Sequence, residues 1–384
     1  MSKIKVALFV TKNQVYNKFS GILNLFKYMT MDDRFEVKIL LHSYYDSSMN
    51  AFIQQNQSLV EYYSHRDVVG DSKKYDLIVT IDPYFGAHDK GSGYHDWTTP
   101  ILYKEYGVTG IDGSGYLYNK GIYKKSKFII TDTNASMGAI YDAINRSADD
   151  VKILPANPLF DYPQFTQVNK RGIPTDKKIV IWSPHCSVCE DKYTKITDGR
   201  FSTFLTYKDD MLKIIDKHKD EVIFIPKIHP GIYSRIQNAI KDGLIPEFSY
   251  DDYVKELMTR ENVIVPSPDT NYYELFLISD ALLNDSISFV AEYLPTKKPM
   301  LALRDDTSAR YSEYAEDLIE KCHYEAHSAG EIDAFIKSIV LDGKDDPMKQ
   351  ENRESYCNRY YADDNKTNSE VICDYIARNL IKED

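Results

Sequence analysis

The sequence predicts an α/β protein built from two Rossmann-like domains that face each other across a cleft. Short apolar runs recur along the chain with helical patterns between them, which is the rhythm of βαβ units. The rhythm restarts after a turn-rich, proline-bearing stretch at residues 157–175. A length of 384 residues with 43% hydrophobic residues is sufficient for two separate cores.

The first set of apolar runs predicts the sheet of an amino-terminal acceptor domain, residues 1–168. Runs such as IKVALFV and YDLIVTI are apolar at consecutive positions, as in parallel strands that are covered on both faces. The predicted strands are 4–10, 35–41, 75–81, 127–131 and 151–154.

The second set predicts the sheet of a carboxyl-terminal nucleotide-donor domain, residues 175–366. Its predicted strands are 178–183, 221–226, 262–266, 280–283 and 299–303. A last helical pattern, residues 367–384, is expected to pack back across both domains. Open α/β sheets bind ligands beyond the carboxyl ends of their strands, so the chemistry is expected in the cleft of a GT-B type architecture.

Composition excludes several other classes of protein. A net charge of −11 argues against broad binding to nucleic acid through bulk electrostatics. No apolar run reaches the roughly 20 residues that cross a bilayer, and no signal-peptide pattern begins the chain. Five cysteines in so long a chain do not form a disulfide scaffold. The expected location is the cytoplasm.

The segment 280–294 runs from a strand through a polar turn into a helix that starts with small hydroxylated residues. The start of a helix presents free backbone N–H groups, which suit a pyrophosphate, and Ser286 and Ser288 can add hydroxyl donors. Glu292 lies about two turns further on and can accept hydrogen bonds from a ribose. The alternative is that Asn284, Asp285 and Ser286 only cap the helix.

Two more strand ends carry polar residues. Lys227 and His229 follow the run EVIFIP, where a cation can neutralise a phosphate or a leaving nucleotide; the alternative is a surface turn. His185, a candidate proton donor or base, and Ser187, a candidate donor-binding residue, follow the run IVIWSP.

A metal site is not predicted. Cys186 and Cys189 have the spacing of metal ligands, but no second pair follows at the separation that a zinc site needs, so incidental cysteines are the preferred interpretation. His88 and His95, with Asp89 and Asp96, occur at irregular spacing in the segment 82–97, which favours a solvated acceptor loop over a metal site.

In the first domain the segment YKEYGVTGIDGSG, residues 103–115, does not match the glycine spacing of a dinucleotide site. It offers Glu105 as a general base, and Tyr106 and Asp112 as contacts to an acceptor hydroxyl. The alternative is a flexible loop without a catalytic role.

The motifs of residues 151–342 resemble the CDP-glycerol glycerophosphotransferase family, which includes teichoic-acid primases and polymerases and relatives in capsule and exopolysaccharide gene clusters. A strand that ends in Lys-x-His-Pro is followed by an Ile-Ser-Asp strand start, an acidic and hydroxylated turn, and a Lys-Pro pair. The matching residues are Lys227, Ile228, His229, Pro230, Ile278, Ser279, Asp280, Asp285, Ser288, Glu292, Lys298 and Pro299.

A Pro-His pair is followed by a Ser-Thr-Phe segment, here Ser202, Thr203 and Phe204. This order resembles a variant of the motif found in family members from polysaccharide gene clusters. The resemblance implies that Lys227, His229 and the two serines hold the phosphates of the donor, with the glutamate near its ribose. The family's polymerases carry His-Gly-Thr in the first domain, where this chain reads YKEYG at residues 103–107, so the family's catalytic base is missing.

The expected function is therefore that of a bacterial cytoplasmic transferase, acting at the inner face of the cell membrane. It would use a nucleotide-activated donor, with CDP-glycerol or another CDP-alditol preferred, and add an alditol phosphate to a lipid-linked or polymeric surface glycan of the teichoic-acid kind. One alternative is a glycosyltransferase that uses a UDP-, GDP- or CMP-sugar in capsule, exopolysaccharide or O-antigen synthesis. Another is a non-catalytic polysaccharide-binding scaffold. Neither a cofactor nor a metal is expected.

Overall fold

The computed structural model describes residues 3–11, 19–63, 68–82, 97–105, 121–166, 168, 176–189, 200–267, 270–286, 288–309, 311–363 and 365–380. Within them the chain forms two compact units. The first unit contains the described residues up to Thr166 and those from Asn358 onward, and the second contains those from 168 to Cys357. The predicted boundary placed residues 358–366 in the second domain, whereas the structure groups those it describes with the first unit.

The first unit is built on a seven-stranded parallel sheet. Its strands β1–β7 are Ile4–Val10, Phe35–His42, Val60–Tyr63, Leu77–Thr80, Ile101–Lys104, Phe128–Thr131 and Lys152–Pro155. Their order is β3-β2-β1-β4-β5-β6-β7, a doubly wound order that reverses between β1 and β4. Strands β3 and β5, each four residues long, were not predicted from the sequence.

Helices flank this sheet. In chain order α1–α6 they are Leu23–Met31, Asn50–Gln55, Val68–Ser72, Gly121–Lys125, Asn134–Ile144 and Tyr162–Phe165. The apolar side of α1, with Leu25, Phe26 and Met29, packs in the same core cluster as Val6 and Leu8 of β1. Burial of alternate faces of β1 in different clusters explains its uninterrupted apolar sequence.

The second unit is built on a five-stranded parallel sheet. Its strands β8–β12 are Lys178–Ser183, Val222–Pro226, Ala281–Asn284, Met300–Leu303 and Tyr324–Ala326. Their order is β12-β11-β10-β8-β9. The predicted strand 262–266 is reduced to one parallel bridge between Val263 and Phe224 at the β9 edge. With that bridge the sheet follows the Rossmann order, which reverses between β8 and β10.

The helices of the second unit, α7–α14, are Phe204–Lys217, Ile232–Lys241, Tyr250–Met258, Tyr272–Ile278, Phe289–Glu292, Glu313–Cys322, Ala329–Phe335 and Pro347–Asn358. Helix α7 buries an apolar stripe at helical spacing that includes Phe204, Tyr207, Met211 and Ile215. This stripe packs in one core cluster with Trp182 at the end of β8. The packing fixes the start of α7 near the carboxyl edge of the sheet.

The last described helix, α15, spans Asn368–Leu380. Its apolar residues, among them Ile372 and Ile376, belong to the core of the first unit. Its amino end is held by the buried Asp161 carboxylate, which accepts hydrogen bonds from the backbone N–H groups of Asn368 at 2.9 Å and Ser369 at 2.7 Å. The structure thus documents packing of this helix on the first unit. In the described part of the chain, no helix has the length and apolar character needed to span a bilayer.

Candidate functional site

The carboxyl edge of the second sheet brings together three segments predicted from the sequence. They are residues 184–189 after β8, residues 227–231 after β9, and the turn after β10. Because β8 lies between β9 and β10, its end neighbours both others, about 5 Å away on each side. The sheet order also reverses here, which is where open α/β sheets bind ligands.

Lys227 is a half-buried cation at this edge. Its backbone N–H donates to the Trp182 carbonyl at 2.8 Å, which ties the residue to the end of β8. Its ammonium makes no hydrogen bond or ion pair with any residue that the structure describes. Burial lowers the pKa of Lys227. A desolvated cation of this kind gains most from an anion that arrives from outside.

His229 lies two residues further along and is exposed. Its Nδ1 accepts a hydrogen bond from the Gly231 backbone N–H at 2.9 Å, so the neutral ring carries its proton on Nε2. A Cβ atom at Gly231 would approach Nδ1 to 3.2 Å, so glycine keeps this contact open. The backbone N–H of His229 donates to the Pro184 carbonyl at 3.2 Å and links this loop to the one after β8.

The His185 ring lies beside that of His229, with 5.5 Å between ring centroids. Its Nδ1 lies 2.8 Å from the Ser187 hydroxyl and accepts from the Ser187 backbone N–H at 3.2 Å. Burial, aided by the neighbouring His229 and Arg235, lowers the pKa of His185 to about 3. The ring is therefore neutral at physiological pH and is suited to donate a hydrogen bond through Nε2 rather than to accept a proton.

His185, Cys186 and His229 form a cluster whose potential metal-ligating atoms all lie within 4.8 Å of one another. The spacing in the sequence pairs Cys186 only with Cys189. A metal needs a free lone pair on each imidazole. In His229 the Nδ1 lone pair accepts the Gly231 N–H and Nε2 carries the proton. The hydrogen bonding of the cluster therefore fits an anion better than a metal ion.

The turn after β10 presents two hydroxyls. Those of Ser286 and Ser288 are partly exposed and make no hydrogen bond to any residue in the described ranges. The Asn284 side chain shapes the turn, because its Oδ1 accepts from the Ser286 N–H at 3.0 Å and its Nδ2 donates to the Ser286 carbonyl at 2.7 Å. Helix α11 is only four residues long, so its dipole adds little to the predicted phosphate cradle.

Asp285 has a different environment from the serines beside it. It is fully buried, and its Oδ1 accepts from the His185 backbone N–H at 2.5 Å. Its Oδ2 accepts from Thr203 twice, from the backbone N–H at 2.6 Å and from the hydroxyl at 2.8 Å. Burial raises the pKa of Asp285 to about 6, against the effect of these hydrogen bonds. The geometry suits a role in holding loops rather than the predicted contact with the donor.

Two more predicted donor-binding residues are buried. Glu292 is 3% exposed, and its Oε2 accepts from the Tyr272 hydroxyl at 2.8 Å, so its contact with a ribose stays a prediction. The Ser187 hydroxyl accepts from the Phe201 backbone N–H at 3.1 Å in addition to its contact with His185. It therefore connects the loop after β8 with the segment before α7.

In the first unit, Glu105 is buried at the end of β5. Its Oε1 accepts from the Tyr123 hydroxyl at 2.7 Å, and its Oε2 accepts from the Thr131 hydroxyl. Burial is the main cause that raises the pKa of Glu105, and the nearby Asp132 carboxylate is the second. Its role as a base stays a prediction. Tyr106 and Asp112, the predicted acceptor contacts, lie outside the described residues, as does the segment 83–96.

Five residues that surround the site had no role predicted from the sequence. Arg200 pairs with Asp305 at 2.7 Å, and the ring of Phe201 stacks on Tyr311 with 5.2 Å between centroids. Thr203 binds Asp285, as described above. The Ser-Thr-Phe segment could have pointed to this region. In the sequence it supports only the family resemblance, and its contact with the His185 loop is not visible there.

Two doubly wound parallel sheets give the chain a GT-B fold, as predicted. Its fold is similar to that of the wall teichoic acid polymerase TagF, with a TM-score of 0.62 and 15% identity over 99% of this chain and 90% of that one. It is also similar to S. aureus MnaA in a co-structure with UDP, with a TM-score of 0.60 and 15% identity over 100% and 98%. A glycosyltransferase from Rickettsia africae has a TM-score of 0.51 and 13% identity over the whole of both chains.

Residues 166–378, more than half of the chain, match the family described as CDP-Glycerol:Poly(glycerophosphate) glycerophosphotransferase. The chain belongs to this family, which confirms the resemblance found in its motifs. No curated protein sequence matches it.

Proposed function

We propose that the second unit binds a nucleotide-activated donor, CDP-glycerol or another CDP-alditol, and that the enzyme transfers the alditol phosphate to a hydroxyl of a surface glycan. The phosphates of the donor would meet Lys227 and the Nε2–H of His229 on one side, and the hydroxyls of Ser286 and Ser288 on the other. His185 would donate a further hydrogen bond.

The observation that carries the proposal is the environment of Lys227. A half-buried ammonium is costly unless it is paired, and no described residue pairs with it. Two serine hydroxyls that bond to no described residue follow β10, and the ring N–H group of His229 follows β9, with β8 between these two strands. An ammonium, hydroxyls and an N–H group are the complement of a pyrophosphate, which offers only acceptors and negative charge.

In the proposed reaction an acceptor hydroxyl oxygen attacks the phosphorus that bears the alditol. A new O–P bond forms, the bond to the bridging oxygen breaks, and CMP leaves with the electron pair. Lys227 and His229 would stabilise the charge that develops on the leaving phosphate. Glu105 is our proposed acceptor for the hydroxyl proton, because its raised pKa suits a general base near neutral pH.

Family membership supports a CDP-linked donor, and the polymerase TagF has been obtained in a form soaked with CDPG. TagF acts on wall teichoic acid, which supports an acceptor of that kind. A second candidate is the transfer of a sugar from a UDP-, GDP- or CMP-sugar. It is favoured by the absence of the family's first-domain His-Gly-Thr sequence, and MnaA binds UDP on the same fold.

The experiment is a donor panel. The protein is incubated with a teichoic-acid-type acceptor and, separately, CDP-glycerol, CDP-ribitol, UDP-glucose, GDP-mannose or a CMP-sugar, and the released nucleotide is identified. CMP released from a CDP-alditol, with equal incorporation of alditol phosphate, supports the proposal. UDP, GDP or CMP released from a sugar nucleotide supports the second candidate. If none turns over and none raises the melting temperature, the scaffold alternative is correct.

The proposed transfer needs no metal ion, because Lys227 and the N–H donors supply the charge stabilisation. Turnover should be unchanged after treatment with a chelator and dialysis. Two results together would instead assign a metal role to the cluster of His185, Cys186 and His229. Chelation would abolish turnover and added zinc would restore it, and a Cys186→Ser variant would show no turnover with or without zinc.

A further inference from the structure

The buried Asp285 joins three segments that meet at the donor site. We propose that Asp285 is a positioning residue, which holds His185 in place by fastening the loop after β8 to the amino end of α7. This inference rests on the proposed function, since it concerns how the donor site is built. It replaces the direct contact with the donor that the sequence suggested for this residue.

Both oxygens of the carboxylate are already hydrogen-bonded within the protein. One oxygen accepts from the backbone N–H of His185, and the other accepts from the N–H and the hydroxyl of Thr203. The side chain is also inaccessible to solvent. A donor phosphate, which carries negative charge itself, would be repelled by this carboxylate if the two met without these groups between them.

The amino end of α7 is a suitable anchor for a negative charge. The helix is 14 residues long, and the Thr203 hydroxyl that could cap it binds Asp285 instead. Aligned peptide dipoles favour an anion at this end of a helix. Arg200 contributes further positive charge near the carboxylate. These contacts oppose the cost of burying an ionised aspartate.

The same two segments are joined a second time through Ser187. Its hydroxyl accepts from the Phe201 backbone N–H and contacts the Nδ1 of His185. The Asp285 carbonyl in turn accepts from the hydroxyl of Tyr311 at 3.1 Å, and Tyr311 stacks on Phe201. The backbone and the ring of His185 are therefore both held by the segment 200–203.

This arrangement gives a physical reason for two motifs that are separated in the sequence. The Pro-His pair ends at His185, and the Ser-Thr-Phe segment begins at Ser202. Asp285, from a third motif, hydrogen-bonds to both. The Ser-Thr-Phe segment is thus a support for the histidine, and it has no need to touch the substrate.

The test is a double-mutant cycle on turnover and on thermal stability, with Asp285→Asn, His185→Ala and the double variant. Asparagine keeps the size of the side chain but turns one acceptor into a donor that faces an N–H group. If Asp285 acts through His185, D285N lowers kcat about tenfold in the wild-type background and less than about threefold in the H185A background. Its effect on Tm should be equal in both backgrounds.

An equal loss of kcat from D285N in both backgrounds would overturn the inference while leaving the proposed function intact. If the wild-type protein turns over no CDP-linked donor, the proposed function fails and this inference fails with it. A KM rise without a change in kcat on D285N, alike in both backgrounds, would instead return Asp285 to direct donor binding.

A milder pair of variants covers the case in which D285N fails to fold. Thr203→Val removes the hydroxyl donor and preserves the shape, whereas Thr203→Ser keeps the hydroxyl. T203V should lower kcat about two- to tenfold, because one hydrogen bond is lost. T203S should keep most of the wild-type kcat. Equal turnover of T203V and wild type would contradict the role of this contact in holding the histidine.

Discussion

Both units present polar side chains at the carboxyl edge of a parallel sheet, but these side chains differ in their partners. At the second sheet, Lys227 and the hydroxyls of Ser286 and Ser288 have none among the described residues. At the first sheet, Glu105 accepts from two hydroxyls, and Asp132 accepts from the Asn157 amide at 2.6 Å.

The difference separates two uses of strand ends. Polar groups without partners are held ready for a ligand, so the second edge is suited to binding. At the first edge, burial raises the pKa of Glu105, which suits the proton transfer that we propose for it, whereas the buried Asp285 at the second edge holds loops together. Variants at the two edges should therefore fail in different ways.

The largest effect is expected at the first edge, from Glu105→Gln. If Glu105 accepts the proton of the acceptor hydroxyl, E105Q should lower kcat by about 10²–10⁴-fold and remove the acid limb of the pH–rate profile. Asp142→Asn, on the exposed part of α5, is the matched control. Full turnover of E105Q would show that the paired carboxylate is structural and that this edge does no chemistry.

The same variant has a stability signature with a definite sign. The folded-state pKa of Glu105 lies above its ordinary value of 4.5, so its contribution to stability is complete below that pH and is lost as pH rises through the raised pKa. E105Q lacks this dependence. In urea unfolding at several pH values, the free energy of unfolding of E105Q should rise relative to that of the wild type as pH rises.

At the second edge, Lys227→Met should lower kcat/KM by about 10²–10³-fold, because a cation that faces the developing charge is removed. Its Tm should be equal to or above that of the wild type, since a desolvated charge without a partner no longer has to be buried. Lys241→Met, an exposed lysine in the last turn of α8, is the control and should change neither quantity. A Tm of K227M below that of the wild type would mean that the ammonium stabilises the fold.

His229→Ala should lower kcat about 10²-fold with little change in Tm, since the residue is exposed. His229→Gln should recover part of the loss, because the glutamine amide can place an N–H donor near the position of Nε2. Equal activity of the two variants would argue that the imidazole contributes something other than a hydrogen bond.

The smallest effect is expected from Ser288→Ala and Ser286→Ala. Each removes one hydroxyl that has no partner in the described structure, so each should raise KM about two- to tenfold and leave Tm within error. Isothermal titration with CDP measures the binding part directly. A fall in Tm instead would show that the hydroxyls serve the turn and not the ligand.

Much of the fold follows from sequence periodicity, because strands that are covered on both faces must be apolar throughout. The runs of β1, β8 and β9 were readable for this reason. Strands β3 and β12 were missed because they are partly exposed at the edges of their sheets, and β5 was missed although it is as long as other predicted strands. The predicted strand 262–266 forms only one β-bridge among the described residues. The extent of strand pairing depends on the neighbouring segments in the fold, which the apolar sequence of one segment does not reveal.

The site was predictable in part. Strand ends identified Lys227 and His229 as edge residues, since a polar group directly after a buried strand must emerge there. The sequence could not separate Asp285 from the serines beside it, because burial and the partners His185 and Thr203 come from segments about 80 to 100 positions away. It could not foresee the burial of Glu292 either, which depends on Tyr272.

The placement of α15 bears on how the chain reaches its folded state during synthesis. The second unit is formed almost entirely by one continuous stretch, whereas the core of the first unit includes Ile372 and Ile376 from the end of the chain. Domains ordinarily fold as units, with the amino-terminal one first on the ribosome. Here the second unit can complete its core earlier, and an apolar face of the first unit stays uncovered until α15 has been made.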